Sequence, residues 1–209
     1  MSGPVISKPV YRVETNRLVL RCWDPKDAVL IQEAAAESKD HLLPFMPWAA
    51  NEPQTIEQKA ELARRFRGLF DRDEDYVYGI FNKNESRALG GTGLHTRLSG
   101  NALEIGYWLH KDFINQGYIT ESTAALTKVA FEIYHVDRLE IHCSVENLAS
   151  AAVPRKLGYI HEATRRRLAY AHDKYSDSMI WTLFADEYPN TPSASTIIRA
   201  FDIAGNSLL

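Results

Sequence analysis

Cysteine is scarce in this 209-residue chain, and neither sign of charge is in large excess. Cys22 and Cys143 stand far apart, outside any metal-ligand spacing, each in a strand-like run where a free thiol acts as a small hydrophobe. That usage fits a reducing cytoplasm. Lysine and arginine total 24 against 27 aspartates and glutamates, a net charge of -3, so no global field draws in the backbone of nucleic acid, which is not an expected partner. Long apolar runs are missing as well. No window approaches the ~20 residues a bilayer span needs, and the opening "MSGPVISKPVYRVETN" holds no stretch of signal-peptide length, so a soluble protein with no membrane partner is expected. None of the histidines has a zinc-type pairing, and no Gly-x-Ser-x-Gly or Cys/His dyad is present. Neither a metal nor a covalent nucleophile is expected.

What is there is enough apolar sequence, 45% of the residues, to bury one sizeable core in one compact domain. Leu18, Leu20 and Cys22 alternate as a short strand, and "DPKD" supplies an N-cap aspartate and a first-turn proline for a helix to about Glu37. Two prolines in "FMPW" and its neighbourhood break that pattern. Thr55 and Gln58 then form a capping-box signature for a helix carrying Leu62, Phe66 and Leu69. Strands are expected over Tyr76 to Phe81, Ala88 to Leu98 and Ala102 to His110, joined by the turns "NKNES" and "LSGN" into an antiparallel meander. The stretch "INQGYITES" follows, then a helix on Ile119, Leu126, Ala130 and Ile133, then the alternation Leu139, Ile141, Cys143, Val145. Strand, loop, helix, strand is a βαβ crossover. It makes the two strands parallel and puts the loop at the carboxyl end of the first. A helix from about Ser150 to Leu157 with Gly158 as its left-handed stop, and strands over about Tyr159 to Tyr170 and Ser176 to Ala185, complete a mixed sheet.

Four stretches in this order, "TNRLVLRCWDPKDA", "LEIGYWLHKDFINQGYITES", "VENLASAAVPRKLGYIHEA" and "MIWTLFADEY", resemble the GNAT (GCN5-related N-acetyltransferase) superfamily, in its RimJ/RimL-like branch. The resemblance implies an α/β (α+β) GNAT fold: a mostly antiparallel mixed sheet of about seven strands with a splayed parallel pair, flanked by about four helices. It covers residues 14–188, leaving 1–13 as an amino-terminal extension and 189–209 as a carboxyl-terminal tail with an apolar patch at Ile197, Ile198 and Phe201.

The family's pyrophosphate loop, Gln/Arg-x-x-Gly-x-Gly/Ala, falls on Ile114, Asn115, Gln116, Gly117, Tyr118 and Ile119. Only the central glycine is kept. The chemistry needs backbone N–H groups pointing at an anion from a helix start, which Gly117 permits and to which Thr120 adds a hydroxyl. In a strand over 102–110, Glu104, Gly106 and Trp108 share one face, so the carboxylate has a side-chain-free neighbour and a gap that could admit substrate. The branch places its general base at Glu104 and the acid that protonates the coenzyme A thiolate at Ser150, a position equally suited to an N-cap. By the same resemblance Asn147 bonds the pantetheine arm, the backbones of Trp108 and Leu109 receive it as if it were a strand, and Lys156 with Arg155 meets the 3′-phosphate. Solvated helix charges are the other account of that pair. The basic stretch "TRRRLAYAHDKYSD" lies by the acceptor cleft in this branch, which suits an acidic acceptor or a carboxylate.

The expected activity is acetyl-CoA-dependent transfer to a primary amine, directly and in a ternary complex. An α-amine and a lysine differ by about 2.4 pKa units, or roughly 3 kcal/mol of deprotonation cost. That favours a protein N-terminus or a small amine as acceptor, and leaves the oligomeric state open, a dimer included. Two other readings stand beside it: a detoxifying acetyltransferase for an antibiotic or aminoacyl compound, with "LLPFMPWAANEP" lining its pocket, and a coenzyme A-binding module without turnover, for which Ile114 and Ile119 speak.

Overall fold

The computed structural model describes residue 4 and residues 6–171 and 174–209; His172 and Asp173 of the basic stretch, and Met1, Ser2, Gly3 and Val5 of the amino-terminal extension, lie outside them. The elements in chain order are β1 (Arg12–Glu14), β2 (Leu18–Cys22), α1 (Ala28–Glu37), α2 (Lys39–Leu42), α3 (Ile56–Asp71), β3 (Tyr76–Asn82), β4 (Ala88–His95), β5 (Ala102–Leu109), α4 (Tyr118–Glu132), β6 (Arg138–Ser144), α5 (Leu148–Lys156), β7 (Ile160–Ala171), β8 (Lys174–Phe184) and β9 (Arg199–Phe201). Their starts follow local chemistry. Asp24 and Asp27 cap each other across a 3-10 turn that leads into α1, and Thr55 with Gln58 closes the reciprocal box ahead of α3.

The strands form one open sheet in the order β7-β8-β6-β5-β4-β3-β2-β1-β9, mostly antiparallel, with β5 and β6 as a parallel pair. Two strands more are present than the sequence reading expects. β1 and β9 span three residues each, too few for alternation to register. The segment after Pro189, set apart in the sequence as a tail, returns to the sheet: β9 pairs with β1, and Arg199 meets Glu14 at 2.6 Å. α2 is likewise an extra helix, of a single turn. β4 ends at His95 rather than near Leu98, because Thr96 turns its hydroxyl to the Glu74 carbonyl (2.5 Å) and the chain leaves the ladder there.

Helices cover both faces. α4 packs on one face against β4 and β5, over the larger core cluster, while α1 and α3 cover the other. α4 is so closely enclosed that Ser122, Thr123 and Thr127 are fully buried; Thr127 donates back to the Thr123 carbonyl (2.8 Å) and shares a hydrogen bond with the Tyr159 hydroxyl (2.7 Å). That enclosure holds the start of α4 fixed against the end of β5. Among the described residues no helix is long and apolar enough to cross a membrane.

The feature that makes the site is a short pairing. β5 and β6 are joined only at Ala102↔Arg138, Leu103↔Leu139 and Glu104↔Glu140. Beyond Glu104, β5 stays with β4 as far as Gly90↔Leu109 and β6 stays with β8 as far as Ser144↔Ser178. The two strands therefore diverge and leave open backbone edges facing each other.

Candidate active site

A cavity of about 1200 Å³ fills the divergence and continues over the α1/α3 face of the sheet. Its floor is β5 from Glu104 to Trp108, its far wall is β6 from Ile141 to Ser144, and Phe45, Met46 and Trp48 stand at the helix side. Trp48 meets Trp108 edge to face at 5.5 Å between ring centroids. The Trp108 indole in turn lies against Gly91, where an added Cβ would be 2.5 Å from its ring nitrogen. The Trp108 carbonyl turns toward Gly90 of β4, so the next peptide, that of Leu109, faces the open side by strand alternation.

At one end of the divergence stands the loop Ile114 to Thr120. Gly117 has φ 79°, in the left-handed region that glycine enters without strain, and it occupies the N-cap of α4, where it has no side chain to cap the helix. The first-turn amides of Tyr118, Ile119 and Thr120 are therefore uncapped donors at the positive end of a 15-residue helix. Asn115 is also left-handed (φ 60°), and Gln116 donates its side-chain amide to the Asp112 carbonyl (3.0 Å). The loop is held from behind by a residue the sequence reading missed. Arg17 donates to the Gln116 carbonyl (3.0 Å), pairs with Glu121 at 2.6 Å and lies 4.5 Å over the Tyr118 ring, while Thr15 donates to the same Glu121 (2.6 Å). Arg17 sits in "TNRLVL", but nothing local to that motif tells of a contact about a hundred residues away.

On the β6 side, past the carboxyl end of that strand, Asn147 rather than Ser150 is the N-cap of α5: its side-chain oxygen accepts from the Ser150 amide (3.0 Å). The Ser150 hydroxyl is thereby left for other work. It donates to the Tyr107 hydroxyl (3.2 Å), which donates to the Ser150 carbonyl (3.0 Å). Burial pushes the Tyr107 phenol well above its ordinary range, so it stays a proton donor at any working pH. Cys143 lines the cavity beside them with its thiol pKa raised, again by burial first. Tyr107 was missed because it lies on the opposite face of β5 from Glu104, and only the divergence from β6 brings it to Ser150. Ser150→Ala should lower kcat about tenfold without moving coenzyme affinity, measured by steady-state kinetics beside calorimetry. Lys156 is exposed in the last turn of α5; Arg155 lies 5.6 Å over the Trp181 ring.

Glu104 is nearly buried on the cavity floor, with Oε2 at 3.1 Å from Arg97 Nε and 3.7 Å from His142 Nδ1. His142 Nε2 lies 2.6 Å from Glu140, and that hydrogen bond, with Arg138 assisting, holds the Glu140 carboxyl below its usual range against the opposing effect of burial. The gap expected over Gly106 is partly filled. His95, the register partner of Glu104, leans across it, and a Cβ on Gly106 would come within 3.0 Å of its Nε2. Glu37, His110 and Asp112 also bring potential ligand atoms within 4.8 Å, but the Asp112 amide donates to Nδ1 of the buried His110 (3.1 Å), which leaves its Nε2–H to donate to Glu37 (3.0 Å). Both ring nitrogens are committed to holding the end of β5 against α1.

The family described as "Acetyltransferase (GNAT) domain" matches residues 17–160. The chain belongs to the GNAT acetyltransferases. Two relatives are the ribosomal-protein-serine acetyltransferase of Escherichia coli (strain K12), 26% identical over 68% of this chain and 80% of its own, and the [ribosomal protein uS5]-alanine N-acetyltransferase of the same strain, 22% identical over 90% and 98%. Among solved structures, RimL, the ribosomal L7/L12 alpha-N-protein acetyltransferase in complex with coenzyme A, superposes with a TM-score of 0.75 at 24% identity over 83% of this chain and 97% of that one. The fold of this GNAT protein is thus shared with RimL over 83% of the chain, and the chain is an N-acetyltransferase. Its site fits acetyl-CoA as co-substrate: uncapped amides at a helix start for an anion, and two open strand edges for an amide-bearing arm.

Proposed function

We propose that this enzyme acetylates the α-amine of a protein N-terminus in a ternary complex, in a reducing cytoplasm where Cys22 and Cys143 remain thiols. The observation that carries the reading is the divergence of β5 and β6 after three residue pairs, with the loop Ile114 to Thr120 at one end and Glu104 on the floor. Acetyl-CoA supplies an activated thioester. Gly117 and the amides of Tyr118, Ile119 and Thr120 would hold its pyrophosphate, with Asn115 and Gln116 shaping the loop; the open edge at Leu109 and the side chain of Asn147 would hold its arm, the backbone of Trp108 being turned to β4 instead, and Lys156 would meet its 3′-phosphate. The residues around Glu104 receive the proton the amine loses. Ser150, backed by Tyr107, gives one to the departing sulfur.

The protein acceptor is favoured by three things: the cavity is larger than a small-molecule pocket of about 300–1000 Å³ requires, an α-amine is easier to deprotonate than a lysine, and the two E. coli relatives are named for ribosomal proteins. Exposed Phe45 and Trp48 at the cavity mouth favour, as a second reading, a small aromatic or aminoacyl amine. The test is acetyl-CoA binding by calorimetry followed by transfer assays on peptides with varied N-terminal residues and on small amines. Turnover of peptides at higher kcat/KM than of any small amine is expected, and the reverse order would establish the second reading. Binding with no transfer to either class would return the protein to a coenzyme-binding module. Glu104→Gln should lower kcat by about tenfold or more at unchanged coenzyme affinity, and a variant as active as wild type would remove Glu104 from the mechanism.

A further inference from the structure

We propose that His95, oriented by Asp75, is the base that takes the proton directly from the acceptor amine, and that Glu104 is a positioning residue beside it. The proposal rests on the acetyltransferase reading above and names the atom that reading left open. His95 Nδ1 lies 2.9 Å and 3.1 Å from the two carboxylate oxygens of Asp75. A carboxylate there keeps the proton on Nδ1 and leaves the lone pair on Nε2. Among the described residues Nε2 has no hydrogen-bond partner, and both His95 and Asp75 line the cavity.

The strands are built around this ring. A Cβ on Gly93 would stand 2.8 Å from Nε2 and one on Gly106 3.0 Å from it, so the two facing glycines of β4 and β5 make the space in which the imidazole lies. Glu104 is placed differently. Its Oε2 is engaged by Arg97 at 3.1 Å with His142 at 3.7 Å, and a carboxylate already held by a guanidinium is a poorer proton acceptor than an imidazole nitrogen with nothing bound to it. Other charged groups line the same cavity: Arg97 beyond β4, Glu104 on β5, His142 on β6 with Glu140 behind it, Glu52 before α3, and Glu57, Lys59, Glu61 and Arg65 of α3. As the amine nitrogen bonds to the acyl carbon and the carbon–sulfur bond breaks, the amine proton passes to Nε2. The sulfur receives a proton through Ser150 and Tyr107. Solvent at the cavity mouth then takes one proton from the imidazolium and returns one to the hydroxyl pair.

The experiment is kcat against pH for wild type, His95→Gln, Asp75→Asn and Glu104→Gln, with acetyl-CoA affinity by calorimetry and the His95 ring nitrogens followed by NMR. His95→Gln should lower kcat by about 10²–10⁴-fold, leave coenzyme affinity within about twofold, and abolish the acid limb of the profile, which in wild type coincides with the NMR titration of Nε2. Asp75→Asn should lower kcat with the limb displaced, and free imidazole should restore part of the rate to His95→Ala, which a merely structural histidine would not allow. An acid limb that survives in His95→Gln and vanishes in Glu104→Gln overturns the proposal and makes Glu104 the base. A wild-type protein that binds acetyl-CoA but acetylates no amine overturns the acetyltransferase reading, and this proposal with it.

Discussion

Gly117→Trp should weaken acetyl-CoA binding by about 100-fold or more, equivalent to about 2.7 kcal/mol, while the protein stays folded. The backbone at Gly117 has φ 79°, where any L-residue costs about 1–2 kcal/mol. A Cβ there would meet only Arg17 Nη2 at 3.5 Å, an ordinary contact, so the loop itself tolerates the first carbon. The loss comes from the indole, which would occupy the approach to the amides of α4, and from any rotation of those amides as the backbone relaxes. Gly100→Ala is the matched control. Gly100 has the same φ of 79° with nothing within 4 Å of its Cβ position, and it sits in the β4–β5 turn, so its variant should lose similar stability and no affinity. Calorimetry on both variants decides the point: equal affinities in wild type and Gly117→Trp would mean that the coenzyme pyrophosphate is held elsewhere.

What a loop with one glycine offers to an anion depends on what surrounds it. Ile114 and Ile119 depart from the family pattern, and from sequence they read as a damaged phosphate site. Neither position has to donate a side chain. The amides come from the helix start, and the loop is braced from outside by Arg17 and Glu121. The brace was invisible in the sequence because the contact joins the β1–β2 turn to α4 across the fold, whereas Gly117, the crossover and the capping boxes are local patterns. The same division runs through the rest of the site. The alternation over Ala102 to His110 put Glu104, Gly106 and Trp108 on one face, but which residue fills the space over Gly106 depends on the register of β4, and that register brings in His95. Asp75, just before β3, belongs to His95 through a contact no spacing rule encodes. Ser150 and Tyr107 meet because β5 and β6 part after Glu104, a consequence of each strand keeping its other neighbour. Sequence periodicity names the faces of strands. It does not say where two strands stop pairing, and that point is where the cavity opens.

Lys59→Met should cost about 3–5 kcal/mol of stability, which at about 2–4 °C per kcal/mol for a domain of this size is a fall of roughly 6–20 °C in Tm. Lys59 and Glu52 form an ion pair in which both side chains are essentially fully buried (2% and 1% exposed). The carboxylate is held further by the Gln54 amide (3.1 Å), and Lys39 donates to the Glu52 carbonyl. Removing the lysine leaves a carboxylate without water and without its cation, the situation that makes breaking such a pair so much costlier than the pair is worth. For that reason the double variant Lys59→Met with Glu52→Gln should recover most of the loss, since no uncompensated charge remains. The pair ties the turn Pro47–Asn51 to α3, and that turn carries Trp48 against Trp108. Loosening it should therefore raise KM for the acceptor while coenzyme affinity is unchanged. Thermal melts and kinetics of the single and double variants separate the two effects: a single variant that loses under about 1 kcal/mol would mean that water reaches Glu52 freely, and an unchanged acceptor KM would mean that the Trp48 wall stands without the ion pair beneath it.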